Sequence, residues 1–395
     1  MGYSSYGRAG DNDEDFDDHA AHRTAGSSRG AIIVMVLVGL GIIAVLLYTY
    51  VRKRTDYSSW DVTATVSNID NAGQLRTTEG YILYNQDGAE GHNGQGRTIW
   101  KISYNLSSPI AAACGECAAF ADRGGQTLNV TDGSGANYYI SVPEKIVQIC
   151  ISRQGVTAVR TDAESADHIY LYSMTGELLL DIKTEVRTSG FPVTMALSPD
   201  GTKLVTSYIK IENEQQNWIT FYNFGEVGQN YADRIVGSYL WEDGLTPDIR
   251  FTDDDRVIIT STSGCTMYKF LEIPEKYTKF DTDGDIVSIT GGTSGFVLAS
   301  KNAEGIYTIY RYDASGEKQS EFTTGVDFNR MELTGEEVIL LYDDSCVIYN
   351  RNGKEKFRAR FDEVIRTMFA NNKTTGYTVV GNSETKTISL KTKSE

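Results

Sequence analysis

Phe191-Pro-Val-Thr-Met-Ala-Leu-Ser-Pro-Asp-Gly-Thr-Lys-Leu-Val-Thr-Ser-Tyr208 is the stretch whose reading decides the fold. It reads as two short apolar strands joined by a tight turn at Ser198-Pro-Asp-Gly201. Proline presets φ at the second turn position, and glycine takes the left-handed conformation after it. Downstream, Trp218-Ile-Thr-Phe-Tyr222 reads as a third strand, Gly225 as a turn, and Arg234-Ile-Val-Gly-Ser-Tyr239 as a fourth, more polar strand.

The same four-strand unit recurs. Ile146–Gly155, Val156–Val159, His168–Tyr172, Met174–Gly176 and Leu178–Ile182 repeat it one unit earlier. Its clearest marker is a third strand ending in Tyr, with Gly four residues on and then Glu or Lys. Tyr172/Gly176/Glu177, Tyr312/Gly316/Glu317 and Tyr349/Gly353/Lys354 carry it, and Tyr222/Gly225/Glu226 is one residue shorter. Tyrosine suits a pleated, half-buried sheet face, and glycine supplies the positive φ of the hairpin. Units of roughly 35 to 50 residues, each of four strands, are the signature of β-propeller blades. A lone blade cannot bury both faces, so blades stack around an axis and the ring closes.

The expected fold is therefore all-β, a β-propeller. Blades are placed at 69–107, 108–142, 143–188, 189–243, 244–281, 282–323 and 324–360. Three strands remain at 361–392, and Asp61–Asn68 can supply the fourth, closing the ring between the chain ends. That makes eight blades, with seven as the alternative and a β-sandwich array as a third option.

Upstream of the propeller, Ala31 to Val51 is a run of 21 residues without a charge. As a helix it spans about 30 Å, the thickness of the hydrocarbon core. Tyr48 and Tyr50, then Arg52, Lys53 and Arg54, fall where such a helix re-enters the headgroups. No small-residue cleavage site follows, so the run reads as an uncleaved transmembrane anchor rather than a signal peptide. Residues 1–30 read as a disordered cytoplasmic tail, 52–59 as a juxtamembrane linker and 60–395 as the propeller domain. The flanking charges slightly favour the opposite orientation, but long C-terminal domains translocate largely regardless of them. The domain is expected outside the cytoplasm.

The six acids and six bases up to Arg54 cancel, so the rest of the chain carries the whole net charge of −16. An acidic domain repels nucleic acid, and none is expected as a partner. Five cysteines at these spacings are no disulfide framework. Cys114-Gly-Glu-Cys117 has a redox spacing, but Ala111–Ala113 before it and Ala118–Ala121 after it read as strands of a two-residue hairpin. The two thiols then face each other, either as a local disulfide in an oxidising compartment or as free groups. Cys150, Cys265 and Cys346 read as buried small apolar residues.

His92, in the Gly-rich stretch 87–96 read as a loop, and His168, at a strand start, are the only histidines of the domain. They are too few for zinc or a Ser-His-Asp triad. Asp281-Thr-Asp-Gly-Asp285 resembles the start of a calcium loop, but Gly284 precedes the third acid, and a β-turn is the better reading. Asp253-Asp-Asp255 reads as a hairpin turn. Asn105, Asn129 and Asn372 are glycosylation acceptors only in a eukaryotic secretory protein. Trp60, Trp100, Trp218 and Trp241 do not supply the per-blade tryptophan pattern of quinoprotein propellers. No catalytic, cofactor or metal constellation is assigned.

The Phe191–Tyr208 stretch and Phe221-Tyr-Asn-Phe-Gly-Glu-Val-Gly-Gln-Asn230, behind an N-terminal anchor, resemble a family of membrane-anchored proteins of Gram-positive, clostridia-like bacteria, domain of unknown function 5711. The resemblance covers most of 31–390 and implies a cell-surface setting, but it brings no catalytic residues. Together these readings point to a non-catalytic binding or scaffold module displayed at the cell membrane, with a protein or cell-wall partner. The competing readings are a surface hydrolase or lyase acting on wall polymers, and an accessory subunit of a larger membrane complex.

Overall fold

The computed structural model describes residues 33–44, 57–163, 166–184, 190–211, 214–244, 248–292, 294–371 and 374–392. The chain divides into two compact units, Met1–Thr55 and Asp56–Glu395.

Of the first unit the described part is one α-helix, α1, over 33–44. Every large apolar side chain reported for it is exposed, from Ile43 at 53% to Met35 at 68%. Its 12 residues are two-thirds or less of the roughly 20 that a membrane crossing takes. Among the described residues no helix is long and apolar enough to cross a membrane. The ends of the expected anchor, 31–32 and 45–51, lie outside the described residues, as do the tail 1–30 and most of the linker 52–59.

The second unit is an eight-bladed β-propeller. Its strands form eight sheets of four. Blade 1 is β2 (Gly73–Arg76), β3 (Gly80–Tyr84), β4 (Gly88–Asn93) and β5 (Thr98–Ser103), and blade 2 is β6 (Pro109–Cys114), β7 (Cys117–Asp122), β8 (Thr127–Thr131) and β9 (Tyr138–Ser141). Blade 3 is β10 (Lys145–Ile151) to β13 (Leu178–Thr184), and blade 4 is β14 (Phe191–Leu197), β15 (Lys203–Ile211), β16 (Gln215–Asn223) and β17 (Ile235–Trp241). Blades 5, 6 and 7 follow as β18 (Asp248–Phe251) to β21 (Pro274–Phe280), β22 (Asp285–Gly292) to β25 (Lys318–Thr324), and β26 (Arg330–Thr334) to β29 (Glu355–Arg360). Blade 8 takes β30 (Ile365–Ala370), β31 (Gly376–Gly381) and β32 (Glu384–Thr392) from one end of the domain and β1 (Tyr57–Ser67) from the other. The seven-blade and sandwich alternatives fall away; the expected boundaries at 107/108, 142/143, 243/244, 281/282 and 360/361 lie between sheets, the one at 323/324 falls one residue inside the last strand of blade 6, and the one at 188/189 lies outside the described residues.

Blades 1 to 7 run outward in chain order from an innermost strand, blade 8 does so from β30 to β32 and then adds β1 outermost, and innermost strands of successive blades, such as β10 and β14 or β26 and β30, touch around the axis. The second strands are nearly continuously buried, as in β7, β19 (Arg256–Thr260) and β23 (Gly295–Lys301), while the outermost strands are largely exposed. This gradient follows from stacking: the middle of each sheet is covered on both faces by neighbouring blades. The core is accordingly a series of apolar layers between blades, such as Val205, Phe221, Val257 and Phe270 between blades 4 and 5.

The closing contact is β1 on β32, antiparallel, with Trp60 opposite Leu390 and Val66 opposite Thr385. Trp60 also packs on Phe357 and Phe361 of blade 7, with ring centroids 5.8 and 5.3 Å away. Strand β1 is therefore described from Tyr57, three residues before the expected start of the propeller domain at 60.

The turn chemistry holds at most of the marked positions. Gly201 sits at φ 74°, and Gly176, Gly316 and Gly353 at 91°, 88° and 74°. The shortened copy differs: after Tyr222 the chain enters a 3-10 turn, Val227–Asn230, instead of a glycine hairpin. The loop expected around His92 is also corrected. Residues 88–93 are strand β4, and the glycines there make room rather than slack. A Cβ on Gly91 would stand 2.2 Å from the Trp100 indole, and one on Gly88 would stand 2.4 Å from the Ile102 carbonyl oxygen.

Candidate binding site in the axial channel

In a β-strand, alternate residues share a face. On β26 this separates Met331, buried in the layer against blade 6, from Arg330 and Glu332 on the other face. On β18 it separates Ile249 and Phe251 in the core from Asp248 and Arg250. The first strand of each blade therefore has charged positions to offer the axis, and blades 5, 7, 8 and 1 fill them.

Glu332 is at the centre. Its Oε1 accepts a hydrogen bond of 2.9 Å from the Thr367 hydroxyl of blade 8. Burial raises its pKa above the ordinary carboxylate value, against the pull of Arg330, Arg76 and Arg250. Those arginines come from blades 7, 1 and 5, so the field at Glu332 is set from across the axis. Arg76 is pushed down to about 10 by burial, with Glu332 and Glu116 opposing. Its guanidinium lies 3.5 Å over the Phe369 ring and donates from Nη1 to the Gly80 carbonyl at 3.0 Å. Arg366 donates from Nε to Asn382 Oδ1 at 2.8 Å and from Nη1 to the Ala72 carbonyl. Arg330 donates from Nη1 to the Arg366 carbonyl.

The pairing is uneven. Arg250 holds Asp248 with two hydrogen bonds of 2.8 Å, which neutralise it. Arg76, Arg330, Arg366 and Glu332 form no ion pair within 4.0 Å among the described residues. Glu332 thus lies in the field of three guanidiniums, Arg330, Arg76 and Arg250, with no ion pair to any of them among the described residues, in a domain that is otherwise strongly acidic. The first strands of blades 2 and 4 carry no charge, whereas Lys145 begins that of blade 3 and Asp285 that of blade 6.

At the other side of the ring the turns of blades 3, 4 and 5 are tied together. Arg153 grips Asp254 with bonds of 2.9 and 2.7 Å, and its backbone N–H donates to the Pro199 carbonyl at 2.8 Å. Lys203, 5% exposed, donates to Asp255 Oδ1 at 2.9 Å and to the Asp254 carbonyl at 3.0 Å. The Asp253-Asp-Asp255 turn is thus a hairpin turn, as expected, and also a clasp.

The residues singled out from sequence lie elsewhere. Cys114 and Cys117 face each other across the β6–β7 hairpin, with Gly115 at φ 63°. Both are free thiols, so in this structure the disulfide alternative is not formed. The Cys117 thiol instead donates to the Arg153 carbonyl at 3.2 Å, and burial pushes the Cys114 thiol up to about 11, the reverse of thiolate activation. Cys150, Cys265 and Cys346 are likewise free thiols. His92 is 2% exposed, stacked on Tyr81 at 4.8 Å, with its pKa lowered by burial. His168 pairs with Asp181 at 2.7 Å and stacks on Tyr170. Asp281–Asp285 is the turn between β21 and β22, with Gly284 at φ 89°, and no metal-binding group of acids, His or Cys occurs among the described residues. Asn129 is 5% exposed in β8.

The arginines and Glu332 went unnoticed in the sequence. The available signal was a charged residue in the first strand of a unit, which the first strands of blades 2 and 4 lack.

A family model described as a family of unknown function (DUF5711) matches residues 52–390. No curated protein matches the sequence. Among solved structures, BamB from Moraxella catarrhalis is similar at a TM-score of 0.51, covering 84% of this chain and 100% of its own at 13% identity. That likeness is one of fold.

Proposed function

The chain belongs to the DUF5711 family, and from that premise we propose that it is a membrane-anchored, extracytoplasmic β-propeller that acts as a non-catalytic binding or scaffold module. The observation that carries the binding reading is the axial wall. Many charged side chains of the ring are tied into pairs, whereas Arg76, Arg330 and Arg366 are held in place by backbone and ring contacts and have no ion-pair partner within 4.0 Å among the described residues. Pre-oriented, unpaired donors in a concavity are what a recognition site offers. The likeness to BamB, a propeller of the same form, is in keeping with a recognition role.

The anchoring reading is supported by the apolar run 31–51 and by α1, whose large apolar side chains are exposed to solvent. Bare apolar surface of this kind is costly in water and favourable in lipid. An outward-facing domain then presents its ligand site to the cell surface, to a protein or a wall polymer.

The test is affinity capture from solubilised membranes with the full chain and with residues 31–51 deleted. The full chain should sediment with membranes, and protease should digest its propeller from the outer side of intact cells. A partner recovered by both forms supports a scaffold working through the ring, whereas a partner lost with the anchor supports an accessory subunit of a membrane complex. Recovery of no partner by either form, with the protein soluble after lysis, overturns the proposal.

A second reading, a surface hydrolase or lyase, draws on one observation: an inward carboxyl raised by burial beside arginines, at Glu332. It requires release of fragments from cell-wall material by the full chain, abolished in Glu332→Gln.

A further inference from the structure

Residues directly opposite each other in an antiparallel pair share a face of the sheet. On blade 7, Leu340 of β27 (Glu337–Tyr342) is opposite Val347 of β28 (Ser345–Tyr349), which is opposite Arg358 of β29. Tyr342, Ser345 and Arg360 form the next row in the same way. Both rows face blade 6, because Leu340 and Val347 belong to the apolar layer shared with its Val297 and Tyr307. Each row ends in a guanidinium on the outermost strand. The connection from β25 to β26 adds Val326 and Asp327, and together these residues line a cleft of about 420 Å³.

The cleft offers an apolar floor and both signs of charge. Leu340 and Val347 are buried in its floor, and Tyr342 is half-exposed. Asp327 Oδ1 accepts from the Tyr307 hydroxyl at 3.1 Å, and that hydroxyl accepts from Lys301 Nζ at 2.9 Å. Asp327 forms no ion pair within 4.0 Å among the described residues. Glu355 braces Arg358 through Nε at 3.1 Å and Nη2 at 2.8 Å, and Asp344 braces Arg360 through Nε at 2.7 Å. Neither brace uses Nη1, so each guanidinium keeps donors for a further acceptor. Side chains fixed in advance lose little freedom when a ligand arrives. The ionised groups lining the cleft and those bonded to them balance: Lys301, Arg358 and Arg360 against Asp327, Asp344 and Glu355. Asp343, beside Asp344, is taken up by Asn329 Nδ2 at 3.2 Å. The arrangement therefore suits a ligand that carries both charges and no net charge.

We propose that this cleft binds a free α-amino acid with an apolar side chain. The carboxylate meets Arg358 and Arg360 in charge-assisted hydrogen bonds, the ammonium meets Asp327, and the side chain lies on Leu340 and Val347. The volume is towards the lower end of the roughly 300–1,000 Å³ of ligand pockets, which fits one small molecule rather than a polymer. The cleft is built on the outer three strands of blade 7 and not on the axial wall, so the inference stands apart from the reading of that wall.

The experiment is titration calorimetry on the full chain in an uncharged detergent, with L-leucine and L-phenylalanine as separate probes. One saturable site per chain is expected for at least one of them. Leucinamide, which lacks the carboxylate, and 4-methylpentanoate, which lacks the ammonium, should each bind at least about tenfold more weakly than leucine, the effect of losing one charge-assisted contact. Asp327→Asn, which keeps an acceptor for Tyr307, and Arg360→Gln, on an exposed side chain, should each weaken amino-acid binding by about the same factor. Circular dichroism and an unchanged thermal midpoint show that these variants are folded. Absence of saturable binding of both amino acids overturns the proposal. So does equal binding of leucine and its two analogues, or binding that neither substitution weakens.

Discussion

Folding takes the Glu332 carboxyl out of water, and the desolvation outweighs the help of Arg330, Arg76 and Arg250, so its pKa rises. The native state then holds this proton more tightly than the unfolded state does. Where native Glu332 keeps a proton that the unfolded chain has lost, stability falls with increasing pH. The cost is complete above the folded pKa and vanishes below the unfolded one. Glu332→Gln should therefore raise the thermal midpoint at pH 7, and the gain should shrink as the pH falls through the carboxyl range. A variant less stable at pH 7, or a gain that persists in acid, contradicts this sign. Sequence could not single out this residue, because its neighbours Arg76 and Arg250 are over 80 positions away and meet it only once blades 1, 5 and 7 share an axis. His92 failed for a related reason. Its glycine-rich surroundings signal a loop, and only Trp100 packed on Gly91 turns them into a strand.

At the scale of elements, strands and hairpins were legible because their signals are local. An apolar run, Ser198-Pro-Asp-Gly201 or Cys114-Gly-Glu-Cys117 specifies a turn within four residues, and the structure has a hairpin at each. The Tyr222/Gly225 copy was not legible as a different turn, because its spacing is one short and the chain goes into 3-10 geometry. The closing strand was legible only by elimination: blade 8 lacked a fourth strand, and β1 was unassigned. Its energetics rest on Trp60, half-buried against Phe357 and Phe361. Trp60→Ala should lower unfolding free energy by about 2 kcal/mol, below the full-burial range for an aromatic because the ring is partly exposed. Urea denaturation followed by tyrosine fluorescence or circular dichroism measures it. A loss under about 0.5 kcal/mol, the size of an ordinary surface change, would mean that the strand is held by its backbone ladder alone.

For the whole molecule, the closed ring predicts cooperative unfolding. An open repeat array loses end units one by one, since each touches only its neighbours. Here every blade has two neighbours, and blade 8 joins the two ends of the domain. Calorimetry and circular dichroism should report one coincident transition for the domain, and deletion of 57–67 should broaden or split it. Two transitions in the intact chain would contradict closure as the source of cooperativity. That shared blade also imposes a timetable. β1 is among the first parts of the domain to be synthesised, and its partner β32 is the last strand to be made. At roughly 5–20 residues per second, β1 waits about 15–60 s for that partner. Through that interval it is an unpaired edge, open to any strand that arrives first, and Asp61 in its middle is a charge of the kind that discourages wrong pairings.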